Sequence, residues 1–203
     1  MKNSADPQNS PVFKAIDIAV RAHNGQYRKG TRVPYICHPL NAARILAVHG
    51  YDEGLVAAAV LHDVLEDSTC SIQSLLEQFG SRIAGIVLIL SNCMDAPTWM
   101  EKKKQTIIRL ASADNDALRV ALSDKLSNLI DIENDCSLVG DAVWERFNGS
   151  RDELAWYYGE LLNLFSSRFS EYPEMQLLSD MDEIIGKIFR RNPVDGPDDR
   201  FNR

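Results

Sequence analysis

A chain of 203 residues with 45% hydrophobic side chains can bury one substantial core, and its length suits a single domain. Lysine and arginine number 22 against 29 acidic residues, a net charge of −7. That balance argues against a general nucleic-acid binder or a protein drawn to an acidic membrane, while an anionic small molecule needs only a local basic patch or a metal.

Met1 to Ser10 is polar and reads as a disordered segment without an apolar leader. Ser10-Pro11 opens the first helix, a cap followed by proline in the first turn. Val12, Ala15, Ile16, Ala19, Val20 and Ala22 keep helical spacing, and Asn24-Gly25 ends it. Gln26 to Pro34 is a basic loop carrying Arg28, Lys29 and Arg32. A second helix follows, with Pro39 expected at its first position and His49-Gly50 at its close. Asp52 caps a third helix whose body, Leu55 to Val60, is wholly apolar.

Ser71 starts a short helix that Phe79-Gly80 stops, and Arg82 to Leu90 reads as a core helix. Thr98-x-x-Glu101 is a capping box for a helix to about Ala111. Asp114 or Asn115 caps the next, which carries Ala117, Val120, Ala121, Leu122, Leu126 and Leu129. Ser150-x-x-Glu153 starts a long helix through Phe165, and Pro173 opens the last. No alternating strand and no internal repeat stand out. The expectation is one all-α domain over residues 11–191, followed by a flexible tail at 192–203.

The longest apolar run, Ile83 to Leu90, falls far short of the ~20 residues that span a bilayer. Cys37, Cys70, Cys93 and Cys136 are dispersed and form no CxxC pair, which suits free thiols in a reducing cytoplasm.

The chain is organised around Leu61-His62-Asp63-Val64-Leu65-Glu66-Asp67, where four ionisable groups end an apolar helix. Burying them is costly unless a cation or partners compensate. If the helix continues through them, His62 and Asp63 neighbour Glu66, and Asp63 neighbours Asp67. Asp124 is an acid within a second apolar helix, with Asn128 one turn later, and His38 precedes Pro39. Two imidazoles and two carboxylates make a mixed nitrogen and oxygen site, suited to manganese, iron, nickel, cobalt or zinc.

Each residue alone has a plainer explanation. His38 fits a helix start, His62-Asp63 is a common dipeptide, and Asp124 can pair with Lys125 or Arg119. Their order and apolar setting are what favour a site. His23 and His49 read as helix-end residues, and Cys37 as packing. Arg28 and Lys29 are either solvated loop charges or contacts to a phosphate or base. Lys102-Lys103-Lys104 reads as a solvated helix face, with phosphate capture the lesser option. Trp156, Tyr157 and Tyr158 read first as core; as a nucleobase wall, Tyr157 is the candidate contact.

The order His38, His62-Asp63, Asp124 resembles the signature of the HD phosphohydrolase superfamily. Ala22-His23-x-Gly25-Gln26-x-Arg28-Lys29, Pro34-Tyr35-Ile36-x-His38-Pro39-Leu40, Leu61 to Asp67, and Ser123 to Leu129 together resemble the hydrolase domain of RelA/SpoT homologues. The likeness is greatest to its stand-alone small alarmone hydrolases, including the Mesh type. The resemblance implies an all-α bundle of about ten helices, bound Mn²⁺, and removal of the 3′-pyrophosphate from (p)ppGpp. It implies His38, His62, Asp63 and Asp124 as metal ligands and Glu66 and Asp67 as the acids that work on the attacking water. Arg28, Lys29 and Asn128 match substrate-contacting positions. One departure stands out: a Val-Lys-Leu-Ala-Asp-like run reads Val120-Ala121-Leu122-Ser123-Asp124 here, so a positive charge near the phosphates is expected to be missing.

The leading expectation is therefore a cytoplasmic, metal-dependent (p)ppGpp 3′-pyrophosphohydrolase whose partner is a small nucleotide, with homodimerisation left open. A second keeps the chemistry but changes the substrate to NADPH 2′-phosphate, an adenosine alarmone or a nucleoside monophosphate. A third is a metal- and nucleotide-binding signalling module with little turnover. A purely structural helical domain ranks last.

Overall fold

The computed structural model describes residues 10–91 and 96–190. The N-terminal segment at 1–9, Cys93 and the tail at 192–203 lie outside the described residues.

Among the described residues the chain is helical, with one isolated bridge between Tyr27 and Pro34. The helices are α1 (Pro11–Ala22), α2 (Cys37–Val48), α3 (Glu53–Leu61), α4 (Val64–Asp67), α5 (Ile72–Leu90), α6 (Trp99–Ala111), α7 (Asn115–Val139), α8 (Arg151–Arg168) and α9 (Glu174–Phe189). A 3-10 segment, Gly140–Arg146, follows α7. No helix among the described residues is long and apolar enough to cross a membrane.

The caps read from the sequence are made. Ser10, Asp52, Ser71, Thr98, Asp114 and Ser150 each accept a backbone N–H from the first turn they open. Ser150 and Glu153 complete a reciprocal capping box. Gly80 adopts φ 77°, ψ 175°, breaking α5 into the two helices that the sequence indicates. Pro39 stands third in α2 rather than first, because the helix already begins at Cys37.

Helix α3 is the centre of the packing. All of Leu55, Val56, Ala57, Ala58, Ala59, Val60 and Leu61 are buried, so this helix is enclosed on every side. It packs against α1, α2, α5 and α7. The alanines allow that crowding, and Leu61, with no exposed surface, carries the chain into the middle of the molecule. Helix α7 packs against α2, α3, α5, α8 and α9. Its buried stripe runs Ala117, Val120, Ala121, Asp124, and the acid therefore sits among core residues.

The basic loop is closed by its own backbone. Arg28 N–H donates to Val33 O (2.9 Å), and Tyr35 N–H to Gln26 O (2.9 Å). Gly30 turns the loop at φ +72°, and a Cβ there would lie 2.8 Å from Cγ and Cδ of Arg146, which pairs with Asp135. Gly30→Ala should therefore destabilise the fold by about 1–3 kcal/mol. Each kcal/mol lowers Tm by roughly 2–4 °C in a domain of this size. An unchanged melting curve would show that the loop does not depend on this close approach.

Candidate metal centre

The continuous helix expected through His62–Asp67 is not what forms. Helix α3 ends at Leu61, His62 and Asp63 make a turn, and α4 begins at Val64. His62 caps α3, and its ring folds back, so that Nδ1 lies 2.8 Å from Ala59 O. That contact makes Nδ1 the donor and leaves Nε2 facing inward. His38, on the first turn of α2, is held in the same way. Its Nδ1 donates to Ser127 Oγ (3.2 Å), which in turn donates to the His38 carbonyl (3.5 Å).

The two Nε2 atoms lie 3.2 Å apart. Asp124 Oδ1 is 3.1 Å from His38 Nε2 and 3.5 Å from His62 Nε2. Asp63 Oδ2 is 3.0 Å from His62 Nε2 and 3.7 Å from His38 Nε2. Donor atoms of His38, His62 and Asp124 all fall within 4.8 Å of one another, and all three side chains are buried. Four groups from three distant segments of the chain thus converge on one point.

Such a cluster demands positive charge at its centre, either a proton or a metal ion. Burial opposes charge on His62, but Asp63 and Asp124 together hold its imidazole well above the ordinary value. Burial dominates at His38 and lowers it. Asp124 is held well below the usual carboxylate range despite burial, by Lys125 first and then His62. The cluster thus favours ionised carboxylates beside a cation, and a divalent metal bound there would take the place of a proton on His62. Two imidazole nitrogens and two carboxylate oxygens, with no thiolate, fit a hard-to-borderline divalent ion.

A family model described as an HD domain matches residues 15–152, which contain all four groups. The chain belongs to the HD-domain family. It is 34% identical over 125 residues to guanosine-3′,5′-bis(diphosphate) 3′-pyrophosphohydrolase MESH1 of Xenopus tropicalis, covering 60% of this chain and 69% of that one. It is 34% identical over 126 residues to the guanosine-3′,5′-bis(diphosphate) 3′-pyrophosphohydrolase of Aquifex aeolicus, covering 61% of this chain but only 18% of that protein. Its fold matches a solved metazoan ortholog of SpoT that hydrolyses ppGpp, with TM-score 0.69 and 26% identity over 88% of this chain and 95% of that one.

Around the HD site the other expected residues fall into two groups. Asn128 touches an acid of the cluster directly, with Nδ2 donating to Asp124 Oδ1 (2.7 Å). Arg28 Nη2 donates to Asn128 Oδ1 (2.6 Å), pairs with Asp131 (3.0 Å) and lies over the Tyr35 ring. Glu66 and Asp67 occupy the single turn of α4 and are exposed beside Asp63. Lys29 is further out, exposed, with Nζ donating to Asn148 Oδ1 (2.7 Å). Tyr157 is buried on α8, within electrostatic reach of Asp124 and Glu66.

Several HD-site residues escaped the sequence reading. Tyr35 donates its hydroxyl to Asp63 Oδ2 (2.7 Å) and so fixes that carboxylate. His23, expected at a helix end, is buried against the Tyr35 ring at 4.8 Å between centroids, and its Nδ1 lies 2.8 Å from Gln26 Oε1. It follows Ala15 and Ala19 on the buried stripe of α1, and that spacing was the available signal. Lys125 pairs with Asp124 as the plainer reading allowed, yet this does not remove Asp124 from the site. Lys103 is half-buried rather than solvated and lies over the rings of Tyr157 and Trp99. Tyr35→Phe keeps the ring but removes the donor to Asp63. It should weaken metal affinity by roughly 10–100-fold in a chelator competition; unchanged affinity would deny Tyr35 any part in holding the ligand.

Proposed function

We propose that this protein is a metal-dependent hydrolase of guanosine-3′,5′-bis(diphosphate), releasing pyrophosphate from the 3′ position and leaving GDP, or GTP from the pentaphosphate. The observation that carries the reading is the convergence of His38, His62, Asp63 and Asp124 on one point, with Glu66 and Asp67 on the adjoining turn. Those four residues would hold the ion, and their nitrogen and oxygen donors suit Mn²⁺. When bound there, a divalent ion supplies Lewis acidity, polarising a phosphoryl oxygen and acidifying water.

The chain's own residues do the rest. Glu66 takes the proton of the attacking water and Asp67 orients it. The water oxygen bonds to the phosphorus attached to the ribose 3′-oxygen. The bond from that phosphorus to the 3′-oxygen breaks, and the proton finishes on the ribose oxygen. Asn128 steadies Asp124 and links it to Arg28, whose planar guanidinium contacts the nucleotide. Lys29 adds charge at the rim. Cys37 and Cys70 are free thiols, which fits a cytoplasmic location.

A substrate panel at equal metal loading tests the reading. We expect ppGpp to be turned over in preference to NADPH, an adenosine alarmone and a nucleoside monophosphate. Turnover of NADPH with ppGpp untouched would overturn it.

A further inference from the structure

Lys103 is a cation inside the molecule's working face that the mechanism above does not use. It lies on the inner stripe of α6 with Trp99, Thr106 and Leu110, at spacings of four, three and four residues. Its ammonium sits 4.8 Å from the Tyr157 ring centroid and 5.5 Å from that of Trp99. The carboxylates of Asp124 and Glu66 are near enough to attract it. Lys125 is near enough to repel it and is already paired with Asp124. The Tyr157 hydroxyl, buried beside it, has no hydrogen-bond partner among the described residues.

The wall is fixed from behind. The Trp99 indole lies flat against Gly149, where a Cβ would come within 2.9 Å of the ring. A half-buried ammonium set over two aromatic faces, and a buried hydroxyl without a hydrogen-bond partner, are groups that one oxyanion can satisfy together. Burial first, and then Lys125, hold the Lys103 ammonium down at about 8, a repulsion that an anion would relieve. Ala121, where a lysine was expected, is fully buried on α7, and beyond Lys125 on that helix a second cation comes from α6 as Lys103.

We propose that Lys103 and the Tyr157 hydroxyl, backed by Trp99, form a subsite beside the metal ligands that holds a diphosphate group of the substrate. This rests on the hydrolase reading above. The diphosphate is either the departing 3′ group or the 5′ group that stays on the nucleoside, and both present the same oxyanions.

The test is calorimetric titration of the Mn²⁺-loaded protein with inorganic pyrophosphate and, separately, with GDP. We compare wild type, Lys103→Gln, Lys103→Arg and Tyr157→Phe, with metal content measured in each. Lys103→Gln should weaken one of the two ligands by at least about tenfold at unchanged metal content, and Lys103→Arg should restore most of the loss. Loss for pyrophosphate assigns the departing group, and loss for GDP assigns the 5′ group. Should Lys103→Gln fail to fold, the isosteric Tyr157→Phe decides, with several-fold weaker binding supporting the subsite. Wild-type affinity for both ligands in the folded variants overturns it, as does failure of the wild type to bind either. A protein that binds pyrophosphate through Lys103 but does not hydrolyse ppGpp would keep the subsite and remove the substrate assignment.

Discussion

Replacing Asp63 with alanine should abolish both metal binding and turnover. Asp63 Oδ2 is the atom that closes the cluster, 3.0 Å from His62 Nε2 and 3.7 Å from His38 Nε2. It also receives the Tyr35 hydroxyl. Without it, His38, His62 and Asp124 keep two imidazoles and one carboxylate, and the partly buried Tyr35 hydroxyl loses its acceptor. If Asp63 is a ligand, as proposed, the loss in metal affinity should exceed the roughly 10–100-fold typical of an outer partner. Metal analysis of the purified variant, run beside a turnover assay, checks both halves. Near-normal metal content would show that three donors suffice and that Asp63 has another task.

Glu66→Ala should separate the two properties that Asp63→Ala loses together. Glu66 stands three residues beyond Asp63 on the exposed turn of α4, outside the donor cluster. Metal content should stay at the wild-type level while turnover falls by about 10²–10⁴-fold, the range for removing a general base. The variant should still bind nucleotide if Arg28 and Asn128 hold it as proposed, since both are untouched. A near-normal rate would remove the acid pair from the mechanism. Lost metal would move Glu66 into the ligand set.

The contrast between these two neighbours depends on the bend between α3 and α4, and that bend was not legible. Leu61 to Asp67 reads as an uninterrupted helix because none of its residues is a strong breaker. What ends α3 is tertiary: His62 turns back to the Ala59 carbonyl while its Nε2 meets groups from α2 and α7. Propensity gives way to a polar cluster that exists only in the folded chain. The break at Gly80 was legible for the opposite reason. Its φ of 77° requires glycine, and a glycine marks it in the sequence.

The same division runs through the site. The four clustered residues stood out because acids and histidines are conspicuous on apolar helices. Their supports did not. Tyr35 is 28 positions from Asp63, and Ser127 is 89 from His38. No local pattern links residues so far apart. Lys103 lies between these cases. Three successive lysines on a helix point about 100° apart, so they cannot all face water on one side. Lys104 is exposed, while Lys103 shares the stripe of Trp99, Thr106 and Leu110. Reading the run as one charged face hid that stripe. Ala121 carries no charge, but two lysines act on Asp124 from other positions, Lys125 by direct pairing and Lys103 at longer range.

The central claim is that one metal, held by His38, His62, Asp63 and Asp124, makes this chain a 3′-pyrophosphohydrolase. The most direct measurement is anion-exchange analysis of the products from ppGpp, using protein stripped by a chelator and then resupplied with Mn²⁺. The account predicts no turnover in the stripped protein, and GDP with stoichiometric pyrophosphate once Mn²⁺ is restored. Intact ppGpp in the presence of bound metal, or turnover that survives chelation, would contradict it.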